Sequence, residues 1–281
     1  MKGKSLRTVL IAGSALLAFL IYLAPSQLNP GNEEPTESGK VAVVANDDDA
    51  LLMTAKAALD SLQRIRLAEM EQSSGVETGD TASLRSMGLF WDTVGVPAAS
   101  AIWFSRKAEK AGGEKDHLEA AYRFFDAFRL APDSGLKAEF VRRAIGHYTR
   151  VLELNPSNLN AKTDLGACYA EGTAEPMKGI MMLREVVSAD PKHEMAQYNL
   201  GMLSVKSGQL DKAIDRFNTV LEINPDRSEV HYHLGNVWLQ KGDTATAITE
   251  YEQFIKVATV DVSDLIRFVE TLKKPDNFRS S

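Results

Sequence analysis

Leucine–glycine pairs recur at a nearly constant interval in the second half of the chain. They stand at Leu165-Gly166, Leu200-Gly201 and Leu234-Gly235, which are 35 and then 34 residues apart. Pro156, Pro191 and Pro225 repeat at the same intervals. A period of this length is typical of stacked helical hairpins, each of which buries its apolar face only against its neighbours. The sequence therefore predicts an all-α fold built from repeated helix pairs.

Paired helices are predicted throughout residues 157–258, which the repeat divides into three units. Apolar residues return at helical intervals in the segments 160–170, 175–189, 194–206, 210–223, 228–240 and 244–258. That periodicity predicts amphipathic helices. Gly172, Gly208 and Gly242 separate the two helices of each pair, at places where glycine favours a turn.

The residues at equivalent positions of these units resemble the tetratricopeptide repeat motif. They are Leu165, Gly166, Tyr169, Gly179, Leu183 and Pro191 in the first unit, Gln197, Leu200, Gly201, Ala213, Phe217 and Pro225 in the second, and His231, Leu234, Gly235, Trp238, Ala247 and Tyr251 in the third. The resemblance implies a right-handed α-solenoid of antiparallel helix pairs. The sequence departs from the motif early in the first helix of each unit, where Lys162, Gln197 and His231 replace a large aromatic residue. Looser packing is expected at those positions.

Two further units of the same kind, more degenerate, are predicted in residues 83–156. Gly88, Trp91, Gly95 and Phe104 stand at repeat-like positions in one of them, and Ala144, Ile145, Tyr148 and Val151 in the other. A last amphipathic helix is predicted over residues 261–275, because apolar residues share one stripe and the segment ends at Lys273, Lys274 and Pro275. We expect this helix to cap the last hairpin.

The first 24 residues are interpreted as a basic N-terminus followed by a membrane anchor. Lys2, Lys4 and Arg7 precede the uncharged residues 8–24, whose apolar part would be about 24 Å long as a helix. That length is near the lower limit for a membrane span. A cleaved signal peptide is the alternative, but the small residue required three positions before a cut is missing.

The charges that flank the anchor predict its orientation. Three basic residues precede it and the next follows only at Lys40, so the N-terminus is expected in the cytoplasm. A short basic start of this kind is typical of bacteria, which predicts a single-pass inner-membrane protein with periplasmic repeats. Residues 25–46 are rich in Pro, Gly and Ser and are predicted to form a flexible linker. Residues 47–71 are predicted to form one amphipathic helix, with Asp47, Asp48 and Asp49 at its N-terminus.

Composition argues against several other classes of protein. The net charge of −6, without a long basic stripe, disfavours nucleic-acid binding. Cys168 is the only cysteine, which excludes intrachain disulfides, and it is interpreted as a small buried side chain. His231 and His233 point to different faces of a helix and cannot share a metal ion; we expect His231 to be packed and His233 to be solvated. No catalytic residue, cofactor or metal site is predicted, and an enzyme with its site in residues 83–156 is kept only as an alternative.

The family resemblance implies that the first helices line a concave groove for a peptide or helix of a partner protein. The residues carried over to this groove are Asn160, Thr163, Ala167, Met195, Tyr198, Met202, Val205, Tyr232, Asn236 and Leu239. Tyr198 and Tyr232 are equally consistent with a structural role. Thr163, Ala167 and Glu229 stand where members that bind acidic tails carry lysine, so an apolar strand or amphipathic helix is the expected ligand.

These features together predict a membrane-tethered scaffold for protein–protein interaction, serving as an accessory factor of a cell-envelope complex. The alternative is a chaperone-like assembly factor for secretion, cytochrome maturation or outer-membrane biogenesis, which requires an open groove. A groove filled by residues 47–70 would instead indicate autoinhibition. The sequence specifies neither the partner nor the oligomeric state.

Overall fold

The computed structural model describes residues 47–73 and 80–274, which form α-helices and no strand. The helices are α1 (Asp48–Ala57), α2 (Ser61–Ser73), α3 (Thr81–Val94), α4 (Pro97–Ala111), α5 (Glu114–Leu130), α6 (Ser134–Leu154), α7 (Leu159–Gly172), α8 (Pro176–Ala189), α9 (Glu194–Lys206), α10 (Leu210–Ile223), α11 (Glu229–Gln240), α12 (Thr244–Val257) and α13 (Ser263–Leu272). The described residues up to Phe254 belong to one compact unit, and those from Ile255 onward belong to a second.

Helix pairs follow one another along the first unit. α3 contacts α4, α5 contacts α6, α7 contacts α8 and α9 contacts α10, and each pair also contacts the next one. Buried apolar residues fill the space between neighbouring pairs; they include Phe124, Tyr148, Val186, Phe217 and Leu234. The helix pairs predicted from the periodicity are therefore confirmed, and their ends agree within a few residues.

Close helix crossings explain the glycines of the motif. A Cβ atom on Gly201 would lie 2.7 Å from the Phe217 ring, and one on Gly235 would lie 2.5 Å from the Tyr251 ring. Gly88 and Phe104 repeat this arrangement in α3 and α4, with the same separation along the chain. Because a methyl group would overlap a buried ring in each case, only glycine allows these crossings. α3 and α4 therefore cross in the same way as the regular pairs, whereas the presence of degenerate repeats in residues 83–156 stays a prediction.

The pair of α5 and α6 departs from the regular units in length. Its helices have 17 and 21 residues, whereas α9 and α10 have 13 and 14. Tyr148 is fully buried at the repeat-like position of α6.

Polar links occupy the place of the missing aromatic residues. Lys162 forms an ion pair with Glu185 at 2.5 Å, Gln197 accepts a hydrogen bond from Arg216 at 2.5 Å, and His231 bonds to Glu250 at 2.7 Å. Each link joins the first helix of a pair to the second. Side-chain bonds thus connect the two helices at the positions where looser packing was expected.

The turn glycines behave as predicted in two of the three pairs. Gly208 and Gly242 have φ angles of 71° and 85°, which only glycine adopts without strain. Gly172 instead ends α7, and a Cβ atom there would lie 2.5 Å from Val141. Its role is therefore a close approach to α6, and the prediction of a turn residue was wrong.

The prediction of one amphipathic helix over residues 47–71 was also wrong, because the chain breaks between α1 and α2. Asp60 accepts a hydrogen bond from the Gln63 backbone N–H at 2.8 Å, and the Gln63 side chain accepts one from the Asp60 backbone N–H at 3.0 Å. These reciprocal bonds form a capping box that starts a new helix. Asp47 caps α1 as expected, accepting bonds from the backbone N–H groups of Asp49 and Ala50.

We expect Asp60→Ala to destabilise the start of α2. The substitution removes the side-chain acceptor and should lower the free energy of unfolding by about 1 kcal/mol. Hydrogen exchange of the amides of α2 would measure the effect, with Asp215→Ala on the exposed face of α10 as the control. Unchanged protection in α2 would contradict the proposed role of the cap.

The remaining segment predictions concern the two ends of the chain. The predicted anchor at residues 8–24 and the predicted linker at residues 25–46 lie outside the described residues. Among the described helices, none combines the length and apolar character needed to cross a membrane. α13 forms within the predicted segment 261–275 and buries Val269, while Ile266 and Phe268 are exposed. Its capping role stays a prediction.

Candidate peptide-binding groove

The first helices α7, α9 and α11 provide the surface to which the predicted ligand site belongs. α7 contacts α9 directly. α9 and α11 are joined by a hydrogen bond of 2.9 Å between the Tyr198 hydroxyl and His233 Nε2. We call the side chains that these three helices expose along this line of contact the groove.

The ten predicted groove residues differ in exposure. Asn160 and Met195 are exposed, whereas Tyr198, Met202, Val205, Asn236 and Leu239 are partly buried. Thr163, Ala167 and Tyr232 are buried. The last three therefore support the surface from beneath and do not present their side chains on it. Binding by the other seven stays a prediction.

Arg227 organises the charged part of the groove. Its guanidinium group lies 4.3 Å from the centre of the Tyr198 ring, and it forms ion pairs with Glu194 at 2.5 Å and Glu229 at 2.9 Å. Two carboxylates thus surround one cation. This arrangement is unsuited to an acidic ligand, in agreement with the absence of the clamp lysines from the sequence.

A shallow depression lies beside Arg227. It has a volume of about 240 Å³ and is lined by Asn160, His193, Glu194, Met195 and Arg227. Met195 is 40% exposed, and its sulfur faces the guanidinium group. Methionine adapts to varied apolar partners. The exposed Met195 side chain therefore offers an apolar contact in a depression whose other lining residues are polar.

Further hydrogen bonds hold the partly buried groove residues in place. The Tyr251 hydroxyl donates a hydrogen bond of 2.8 Å to the side-chain oxygen of Asn236. Met202 and Val205 pack against a buried cluster that contains Val230 and Leu234. The surface is therefore shaped by the packing between neighbouring helix pairs.

The two histidines of α11 exchange the roles predicted for them. His233 is buried and stacks on Phe217, with ring centroids 5.6 Å apart, whereas His231 is only partly buried and bonds to Glu250. Burial, with a smaller contribution from Arg227, lowers the pKa of His233 to about 4. The neutral ring forms its hydrogen bond with the Tyr198 hydroxyl through Nε2. The pattern of α11 was misjudged because His233 faces the preceding pair rather than solvent.

Cys168 is fully buried in α7, as predicted. Burial, followed by the nearby Asp164 and Glu171 carboxylates, raises the pKa of its thiol far above the ordinary value. A thiol in this environment stays protonated and is a poor nucleophile.

A buried hydrogen-bond chain lies in the region kept as an alternative enzyme site. Ser105 Oγ is 3.0 Å from His147 Nε2, and His147 Nδ1 is 3.0 Å from His117 Nδ1. Sequence reasoning missed this chain, because its members lie on three different helices. Burial lowers the pKa of His147 to about 4 and also lowers that of His117. Ser105 is only 4% exposed, so the chain satisfies buried polar groups and does not offer its hydroxyl to a substrate.

Metal ligands are not clustered in the part of the chain that the structure describes. Within residues 47–73 and 80–274, no three His, Cys, Asp or Glu side chains are placed to hold a metal ion.

Fold and surface together define a helical-repeat protein. A family model described as "TPR repeat" matches residues 201–242, and one described as "Tetratricopeptide repeat" matches residues 229–257. With the helix pairs and glycine crossings above, these matches show tetratricopeptide repeats in residues 201–257. Such repeats are typical of scaffolds for protein–protein interaction.

Several known proteins are similar to parts of the chain. Anaphase-promoting complex subunit 3 of Schizosaccharomyces pombe is 28% identical over 126 residues, which are 45% of this chain and 18% of that protein. The mitochondrial import receptor subunit TOM70 of Rattus norvegicus is 24% identical over 83 residues, 30% of this chain and 14% of that protein. The chain thus matches less than a fifth of the length of these curated relatives.

A solved structure supports the fold. The structure of a thermophilic TPR protein from Thermus thermophilus superimposes with a TM-score of 0.51. It is 17% identical to this chain, and the match covers 69% of this chain and 98% of that one. This likeness concerns the fold alone.

Proposed function

We propose that the chain is a membrane-tethered interaction scaffold whose groove binds an apolar peptide or helix of a partner protein. The observation that carries the proposal is the depression beside Arg227, where the exposed Met195 adjoins a cation already paired with two carboxylates. An apolar ligand gains from burial against the exposed Met195 side chain, whereas an acidic group finds no uncompensated cation. The partly buried Tyr198, Met202, Val205 and Leu239 extend the same character along the groove.

The proposed location is the bacterial inner membrane. Residues 8–24 would cross it once, with the N-terminus in the cytoplasm and the repeats in the periplasm, held by the linker of residues 25–46. The support is the uncharged N-terminal segment and its basic flank. A tether of this kind raises the effective concentration of the groove toward partners at the membrane. An accessory role in a cell-envelope complex follows from this placement.

Crosslinking from paired positions would test the binding proposal. A photoreactive amino acid at Met195 in the groove should trap a partner in intact cells, because this side chain is 40% exposed. The control is the same amino acid at Met181 on the second helix α8, which is 58% exposed. Crosslinked products that form only from Met195 would support binding in the groove. These products should be lost when Tyr198→Ala removes the adjoining ring. Equal products from both positions would contradict it.

A chaperone-like assembly factor is the second candidate, and one observation favours it. α1 contacts α4 and α2 contacts α3, with ion pairs from Asp49 to Arg106 and from Asp48 to Arg143. Residues 47–70 therefore pack mainly on the N-terminal pairs, and we propose that they leave the groove of α7, α9 and α11 open. An open groove suits unfolded clients as well as one folded partner. This candidate would be favoured if the wild type suppresses the aggregation of an unfolded reporter protein and the Tyr198→Ala variant does not.

A further inference from the structure

One side of α2 combines exposed apolar residues with exposed charged ones. Leu62, Ile65, Arg66 and Glu69 stand at positions i, i+3, i+4 and i+7 of this helix. Residues with that spacing share one face of a helix. All four are exposed, and the exposed fractions of Leu62 and Ile65 are 79% and 57%. We call these four residues the α2 stripe.

The α2 stripe faces away from the side on which α2 packs. Leu67 is buried in a cluster that also contains Leu52, Leu59 and Leu84, and Met70 packs against the same cluster. Leu84 belongs to α3, so this buried side attaches α2 to the first helix pair. The packing of α2 on the protein therefore does not use the stripe.

The two charged residues of the stripe lack partners in the part of the chain that the structure describes. Arg66 and Glu69 form no ion pair and no side-chain hydrogen bond there. Arg64 and Glu71, by contrast, both bond to α1, and Glu71 pairs with Lys56 at 2.5 Å. α2 thus directs its other charges to α1 and leaves one cation and one anion on the outer face.

The order of these charges makes the stripe complementary to a reversed copy of itself. Arg66 precedes Glu69 by less than one helical turn. When two α2 helices lie antiparallel about a two-fold axis, Arg66 of each copy lies beside the partner's Glu69. Parallel helices would instead set like charges side by side. Because a two-fold contact uses the same surface on both copies, both ion pairs form together and cover Leu62 and Ile65 twice.

Apolar surface continues from the stripe into a cleft between α1 and α2. The cleft has a volume of about 540 Å³, and its apolar lining residues are Met53, Ala57, Leu59, Leu67 and Ala68. Ala68 lies three residues from Ile65 and is therefore its neighbour on the helix surface. A second copy that covers this region would bury the cleft together with the stripe, which adds to the apolar area of the contact.

We propose that a second copy of this chain docks on the α2 stripe and forms a two-fold symmetric dimer with antiparallel α2 helices. Other occupants fit the charges less well. Anionic lipid headgroups would repel Glu69, and a purely acidic or purely basic peptide would match only one of the two charges. The dimer goes beyond the proposed function, because it would carry two grooves and so raise the effective concentration for a partner with two binding segments.

Charge reversal tests the dimer directly. Sedimentation of the full chain in detergent micelles should show that the wild type is a dimer. Arg66→Glu and Glu69→Arg should each weaken the dimer about tenfold, since each substitution sets like charges together at two symmetric places. An equimolar mixture of the two variants should dimerise again, because one variant then has a wholly acidic stripe and the other a wholly basic one.

The apolar part of the stripe has its own test. Leu62→Gln should also weaken the dimer about tenfold, because it removes apolar burial on both copies. Met181→Gln on α8, at a side chain that is 58% exposed, is the matched control and should leave the dimer unchanged. A photoreactive amino acid at Leu62 should crosslink two copies of the chain in intact cells.

Several results would overturn the proposal. A monomeric wild type would do so, and so would a dimer that both charge reversals leave intact, or a mixture of the two variants no more dimeric than either alone. Crosslinks from Leu62 to lipid or to a different protein, without a doubled chain, would assign the stripe to that occupant instead. Crosslinking from Met195 reports on the groove separately, so failure of the dimer and failure of the groove are distinguishable.

Discussion

Replacing Gly179 with alanine should lower the free energy of unfolding by about 3 kcal/mol. The Cβ atom would overlap the carbonyl oxygen of Gly166 and lie 2.7 Å from the backbone nitrogen of Ala170. Both atoms belong to the backbone of α7, so no side-chain rotation can relieve the overlap. α7 and α8 would have to separate, which opens the core around Leu183. Denaturant unfolding of the wild type and the variant would measure the loss.

Gly146→Ala is the matched control, because Gly146 also lies inside a helix. Nothing lies within 4 Å of a Cβ atom at this exposed position of α6. Alanine should therefore stabilise the protein by about 1 kcal/mol through its higher helix propensity. The two substitutions are therefore expected to change the free energy of unfolding in opposite directions. A Gly179→Ala variant as stable as the wild type would mean that α7 and α8 do not cross at Gly166.

His233 should make the stability of the protein depend on pH. Its pKa is about 4 in the folded state, against an ordinary value of 6.5, because the ring is buried. Between these values the unfolded state binds more protons than the folded state, so the free energy of unfolding falls as the pH falls. Between pH 7 and pH 5, the titration of His233 should lower the free energy of unfolding by about 2 kcal/mol.

His233→Gln isolates that contribution. Glutamine does not titrate, and its side-chain amide can still form a hydrogen bond with the Tyr198 hydroxyl. Unfolding free energies at pH 7 and pH 5 should show that the wild type loses about 2 kcal/mol more than the variant. Parallel pH profiles for the two proteins would show that His233 is not held neutral by burial.

Much of the fold followed from local rules that act within one helix pair. The leucine–glycine pairs located Gly201 and Gly235 opposite aromatic rings, and the same spacing found Gly88 and Phe104 in a unit with little other similarity. Such positions are predictable because two helices of fixed length and connection must cross at a fixed place. α1 and α2 were misjudged because apolar periodicity continues across the capping box at Asp60, and a short polar motif outweighs it locally.

The candidate sites were less accessible to sequence reasoning, because they depend on contacts between pairs. Thr163 and Ala167 have the positions of groove residues, yet the neighbouring helices bury them. Ser105, His117 and His147 are far apart along the chain and carry no motif, so only the packing of α4, α5 and α6 brings them together. The same reason explains why the predicted roles of His231 and His233 were exchanged. Periodicity assigns a residue to a face of its helix but does not specify how closely the next pair covers that face.

Equal separation of the crossing residues has a consequence for recombination between units. Gly88 with Phe104, Gly201 with Phe217 and Gly235 with Tyr251 share one register, so hairpins exchanged among these three pairs would keep their internal fit. The pair of α7 and α8 uses Gly166, Gly179 and Leu183 instead and follows a different register. A chimera that combines one helix of this pair with a helix from another pair would place an aromatic ring against the backbone of the other helix. A chimera that receives the intact hairpin of α7 and α8 would not.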